Sequence, residues 1–158
     1  MNKSTNQLAI NVERYIKSNN LIKTGDNVVI GLSGGMDSIC LCEILQMVKR
    51  SIDFNLFAAH MDHRIRPESG DDALFVAAYC QRNDIALYTT TADVLHEAEY
   101  QKISIELAAR YVRQGFFKSI LDKHTNAKLA LAHHMNDKIE TMLMRMFRGT
   151  SLDGLDPM

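Results

Sequence analysis

Apolar positions fall along the chain in two alternating rhythms, short continuous runs and longer stretches at helical spacing. Over residues 7–17 (QLAINVERYIK), Leu8, Ile10, Val12, Tyr15 and Ile16 form an imperfect helical stripe. Gly25-Asp26-Asn27 breaks it, and NVVIGL (27–32) follows as an apolar run of strand length. Ser33-Gly34-Gly35 leads into DSICLCEILQMVKR, a largely apolar helix. FNLFAAH (54–60) reads as a second buried strand, HRIRPESGDD (63–72) as a polar loop around Pro67 and Gly70, and DALFVAAYCQRN (72–83) as a helix. ALYTTT (86–91) is the third strand, and residues 93–101 suit a short helix. ISIELAARYVRQGFFKSILDKH (103–124) is long and amphipathic, with Ser104 placed to cap it. KLALAHH (128–134) gives a fourth strand, and NDKIETMLMRMFRG (136–149) a last helix stopped at Gly149. This alternation predicts an α/β fold, a doubly wound parallel sheet covered on both faces. Ligands bind such sheets at the carboxyl ends of the strands. Polar clusters after strands one, two and four fall there.

The bulk numbers narrow the class. A length of 158 residues suits one domain, able to bury about two-thirds of its unfolded surface. No apolar run approaches the ~20 residues of a membrane span. The N-terminus has no apolar core followed by a small-residue cleavage site, so a cytoplasmic protein without a membrane partner is expected. Cys40, Cys42 and Cys80 form no Cys-x-x-Cys pair and read as buried small hydrophobes. With 18 basic residues against 19 acidic ones, the net charge is -1, so any basic surface for a polyanion must be local. Arg64, Arg66, Arg145 and Arg148 are the candidates for such a patch.

Ser33-Gly34-Gly35-Met36-Asp37-Ser38 lies between a strand and a helix. Its glycines allow a tight turn and close approach to a phosphate. The helix start adds free N–H groups and a positive dipole end. There is no Gly-Lys-Ser/Thr ending, so this is not the usual nucleoside-triphosphatase loop. Asp37 would repel phosphates unless it serves Mg²⁺, which takes oxygen ligands and bridges phosphate groups. In the second cluster, His60-Met61-Asp62-His63-Arg64-Ile65-Arg66, the two arginines suit phosphate or substrate charge, and a solvated basic loop is the alternative. In the third, His133 to Thr141, the residues Asp137, Glu140 and Thr141 share one helix face. These acids either share a metal, orient an amine, take a proton or simply complement the helix dipole. Glu106 and Arg110 have the spacing of an ordinary ion pair, which leaves Arg113 available for phosphate.

Taken in order, the Ser33–Ser38 loop, HMDHRIR, SIELAARYVR and HHMNDKIET resemble the PP-loop ATP-pyrophosphatases. Within them the chain looks most like the tRNA(Ile)-lysidine synthases, from Asn27 to its end, where RGTSLDGL (148–155) is also similar. The resemblance implies a fold like that of the adenine nucleotide alpha hydrolases, with ATP and Mg²⁺ as cofactors. It implies tRNA(Ile) with a CAU anticodon and free lysine as substrates. ATP would adenylylate the wobble cytidine, and lysine would displace AMP. By correspondence Ser33, Gly34, Gly35, Met36, Asp37, Ser38 and Arg113 bind the nucleotide, and Asp37 and Asp137 hold the metal. Asp37, Arg113, His133, Asp137 and Glu140 are the catalytic set. A thiocytidine synthetase relative shares the loop, but its chemistry needs paired cysteines; a nucleotide-binding domain without catalysis is the other alternative. Arg64 stands where the family often has glycine, and Asp62 where it often has asparagine. The family's enzymes carry further domains, so residues 1–158 read as one PP-loop domain that is a fragment or a shortened relative; a homodimer is left open.

Overall fold

The computed structural model describes residues 3–64 and 69–132. In chain order the elements are α1 (Lys3–Ser18), β1 (Asn27–Gly31), α2 (Met36–Val48), β2 (Asn55–Asp62), α3 (Ser69–Arg82), β3 (Ala86–Thr91), α4 (Val94–Gln101), α5 (Ile105–Leu121) and β4 (Ala127–Ala130). The four strands form one sheet in the order β3-β2-β1-β4, and every pairing is parallel. The chain therefore steps outward from β1 to β3 and returns to the other side of β1. That reversal puts the topological switch point at the end of β1, where open α/β sheets bind ligands.

Side chains alternate across the strands and divide the core into two layers. Val28 and Ile30 of β1 and Leu56 and Ala58 of β2 face a large cluster. Ile16 of α1, Ile44, Leu45 and Val48 of α2, and Val76 and Cys80 of α3 complete it. Val29 and Ala59 point the opposite way, onto Phe117 and Ile120 of α5. Both faces are covered, as the doubly wound pattern requires. A small third cluster, Val94, Ala98 and Ala108, packs α4 on α5.

Local rules fix the helix ends. The Ser104 hydroxyl accepts the Leu107 N–H at 3.2 Å, the expected cap of α5. Asp93 caps α4 by accepting the His96 N–H at 3.0 Å. Helix α3 starts at Ser69 rather than Asp72, so Asp71 and Asp72 lie in its first turn, where acids suit the helix dipole. Strand β4 ends at Ala130 rather than 134. The helix expected over 136–149 lies outside the described residues.

Candidate functional site

The segment between β1 and α2 is built by its own hydroxyls. Ser38, 5% exposed, accepts the Ser33 N–H at 3.2 Å and donates to the Gly35 carbonyl at 2.9 Å. The Ser33 hydroxyl lies 3.2 Å from that of Ser38 and accepts the Gly35 N–H at 3.2 Å. Gly34 has φ +85°, a conformation that disfavours any residue with a Cβ. Gly35 precedes α2 in extended geometry with no side chain capping the helix. Loop and uncapped helix start thus present backbone N–H groups to an anion.

The end of β2 borders the loop. The Leu32 N–H donates to the Ala59 carbonyl at 2.9 Å, and His60 Nδ1 lies 2.7 Å from the Leu32 carbonyl. At the exit of β2, Asp62 Oδ1 accepts the Arg64 N–H at 2.8 Å, and Arg64 has φ +49°. Both departures from the family pattern find a physical reading here. Arg64 occupies a left-handed conformation that glycine adopts freely, and an asparagine Oδ1 would accept the same N–H as Asp62 does.

A cavity of about 770 Å³ opens over these segments. Ser33, Gly35, Met36, Asp37 and Ser38 line it on one side. His60 and His63 come from the β2 end, Asp71 and Asp72 from α3, and Arg113 from α5. Of the residues proposed from sequence, the structure brings together the loop and Arg113. Glu106 and Arg110 do not line the cavity and form no salt bridge; among the described residues the ion pairs are Lys17–Glu13 and Lys128–Asp26. His133, Asp137, Glu140, Arg66, Arg145 and Arg148 lie outside the described residues. Sequence reasoning missed Asp72, whose Oδ1 would be 3.4 Å from a Cβ at Gly34. It also missed the cavity wall of Phe117 and Leu131, although a glycine ending an apolar strand, Gly31, signals close approach.

The charges explain what the cavity can hold. His63 is held below the ordinary imidazole value, chiefly by burial and next by the charge of Arg113, which favours its neutral form. The guanidinium of Arg113 suits bidentate contact with phosphate. Asp37, Asp62, Asp71 and Asp72 supply the hard oxygens that Mg²⁺ takes. Among the described residues no three metal-binding side chains converge, so an all-protein cage is absent there. Mg²⁺ held by one or two carboxylates, waters and nucleotide phosphates fits this donor set. The cysteines fit core roles instead. Cys42 and Cys80 are buried in the main core, and burial raises both thiols, Cys42 to about 11. Burial thus favours the neutral thiol of both.

A family model described as a PP-loop domain matches residues 4–158. The tRNA(Ile)-lysidine synthase of Clostridium acetobutylicum is 40% identical over 141 residues, covering 89% of this chain and 31% of that protein. The Bacillus subtilis protein of the same name is 40% identical over 146 residues, covering 91% of this chain and 30% of its own. The chain thus spans under a third of the length of these curated relatives. Among solved structures, the U34-tRNA thiolase NcsA from Methanococcus maripaludis, with its [4Fe-4S] cluster, superposes with a TM-score of 0.75 at 20% identity, covering 95% of this chain and 51% of that one. The NH3-dependent NAD synthetase of Campylobacter jejuni gives a TM-score of 0.54 at 20% identity, covering 82% and 56%. At these identities the likeness to both structures is one of fold.

Proposed function

The chain belongs to the PP-loop domain family, and on that premise we propose that it is the ATP-using catalytic domain of a tRNA(Ile)-lysidine synthase. The C2 oxygen of the wobble cytidine attacks the α-phosphorus of ATP, and the bond to the β-phosphate oxygen breaks to release pyrophosphate. The amine of free lysine then adds at C2 and AMP leaves, giving lysidine.

The observation that carries this reading is 40% identity to proteins of that name over 89% of the chain, in a segment that includes the loop and Arg113. The geometry is compatible with it. On this reading the phosphate oxygens take N–H groups of Gly34, Gly35 and Asp37 at the switch point of the sheet, the Gly35 N–H turning to the ligand from the Ser33 hydroxyl that it meets at 3.2 Å. Arg113, which lines the same cavity, would stabilise charge on the α-phosphate as pyrophosphate departs. Asp37 and Asp137 are the carboxylates for Mg²⁺, which when bound neutralises phosphate charge. By the family correspondence His133 is assigned to the nucleotide and Glu140 to the lysine amine.

The test is a graft of this chain in place of the matching segment of the Bacillus subtilis protein. The graft is incubated with ATP, Mg²⁺, labelled lysine and unmodified CAU-anticodon tRNA(Ile). Lysine incorporation with matching pyrophosphate release is expected. A folded graft that binds tRNA and ATP but releases no pyrophosphate would refute the reading.

A further inference from the structure

Two buried polar atoms of cavity residues have no partner among the described residues, His63 Nδ1 and His60 Nε2, and the second belongs to a ring whose other edge is engaged. His60 is 4% exposed and lines the cavity beside Leu32 and Ser33. Its Nδ1 lies 2.7 Å from the Leu32 carbonyl oxygen. A carbonyl oxygen only accepts, so Nδ1 carries the hydrogen and donates it. In the neutral ring Nε2 then bears a lone pair. Nε2 is buried and makes no hydrogen bond among the described residues. Buried acceptors in native proteins are ordinarily satisfied, and an exception at a ligand cavity asks for a ligand.

The engaged edge of the ring has a clear consequence. Leu32 joins β1 to the loop, and its two backbone polar groups are both tied to β2, the N–H to Ala59 and the carbonyl to His60. The next residue, Ser33, gives its N–H to Ser38. A continuous run of hydrogen bonds therefore connects the imidazole to the segment that faces the phosphates.

We propose that His60 is a positioning residue for the phosphate loop, and that its Nε2 accepts a hydrogen bond from an N–H or O–H of the bound nucleotide. The inference rests on the nucleotide-binding reading above and assigns one side chain within it. The ligand satisfies the one unpaired edge of a ring whose other edge holds the entrance of the loop. ATP offers two donors of this chemistry, the exocyclic amine of the base and the ribose hydroxyls.

His60→Asn separates the two edges. The asparagine amide nitrogen can occupy the place of Nδ1 and keep the Leu32 bond, while nothing replaces Nε2. His60→Ala removes both. ATP affinity is measured in the presence of Mg²⁺ by calorimetry on the 158-residue chain, alongside thermal unfolding. His60→Asn is expected to keep the wild-type unfolding profile and to bind ATP about tenfold more weakly, ~1.4 kcal/mol. His60→Ala is expected to lose more, in both stability and affinity. Inosine triphosphate lacks the amine, and 2′-deoxy- and 3′-deoxy-ATP lack one hydroxyl each. One of the three is expected to bind wild type and His60→Asn equally, which identifies the donor. The ¹⁵N resonance of His60 Nε2 is expected to move when ATP is added. Wild-type ATP affinity in His60→Asn, an equal penalty for all three analogues, or an unmoved Nε2 resonance would each overturn the proposal. Absence of ATP binding by the wild-type chain would overturn the nucleotide reading as well.

Discussion

Adding one methyl group at Gly31 probes the wall behind the cavity. Gly31 ends β1 opposite Ala59 and has no unusual φ, so its glycine is there for space. A Cβ would lie 2.6 Å from Leu131 Cδ2 and 3.0 Å from Phe117 Cζ. Carbon atoms in contact settle ~3.5–4.0 Å apart, so Leu131 must retreat by ~1 Å. Phe117 cannot absorb the strain, because buried Val29, Ala59 and Ile120 pack around it. Overpacking of this kind costs ~1–3 kcal/mol. Restricting the unfolded chain offsets ~0.4–1 kcal/mol, leaving a net loss of up to ~2.6 kcal/mol. At ~2–4 °C per kcal/mol for a domain of this size, the unfolding midpoint of Gly31→Ala should fall by up to ~10 °C. Calorimetric melts of Gly31→Ala, Leu131→Ala and the double variant test the cause. Truncating Leu131 opens the space the new methyl needs, so the double variant should be at least ~1 kcal/mol more stable than the sum of the single losses predicts. Additivity within ~0.5 kcal/mol, or a Gly31→Ala midpoint at or above wild type, would refute the packing argument.

Gly34→Ala and Gly25→Ala should lose similar stability, ~1–2 kcal/mol, because both glycines have positive φ. Only Gly34→Ala should weaken ATP binding; an equal loss in Gly25→Ala would show that the loop is not the site. Asp37→Ala should lower Mg²⁺-dependent ATP turnover by ~100-fold or more, ~2.7 kcal/mol of barrier, and unchanged turnover would reduce Asp37 to a helix-start acid. Because burial and Arg113 depress His63 in the folded state, the unfolded chain takes up that proton first as pH falls. Stability should therefore drop on acidification below about pH 6.5, more steeply than in His63→Gln; parallel urea midpoints across pH for the two proteins would contradict this. With 18 basic and 19 acidic residues, the chain by itself should bind tRNA weakly, since only a few phosphate contacts can form, and should lose that binding as salt rises. A salt-insensitive nanomolar complex in a filter-binding titration would be the contrary result.

Much of the frame is legible in the sequence because each strand is a short apolar run bounded by turn residues. NVVIGL, FNLFAAH and ALYTTT become β1, β2 and β3 with small shifts at their ends. Leu32 leaves the strand for a tertiary reason, since its carbonyl bonds a histidine side chain from β2, a partner that no local pattern encodes. The glycine loop is legible for the opposite reason: its hydrogen bonds join residues at most five apart. Asp71 and Asp72 read as loop acids because Pro67 and Gly70 dominate the local signal. Their place on the cavity depends on α3 crossing beside β2, which only the fold decides. The Glu106–Arg110 pair fails because helical spacing permits a contact without selecting the rotamers that would make it.

The acids of the cavity bear on how an anion can be held there at all. Asp37, Asp62, Asp71 and Asp72 face the same space as Arg113, and no lysine is among the described lining residues. A carboxylate ~5 Å from a phosphate charge costs ~3 kcal/mol at an effective dielectric of ~20. Several such pairs would exceed what one guanidinium returns, so ATP without a divalent ion is expected to bind this wall more weakly than with one. Backbone N–H groups of the loop contribute without adding a mobile cation. On the proposed reading the remaining neutralisation arrives with the nucleotide, as a divalent ion whose oxygen ligands the carboxylates would complete. The acids that oppose the bare triphosphate would then favour its metal complex. On that reading the loop can omit the lysine of the usual nucleoside-triphosphatase motif, because the charge that lysine would supply is carried in with the substrate.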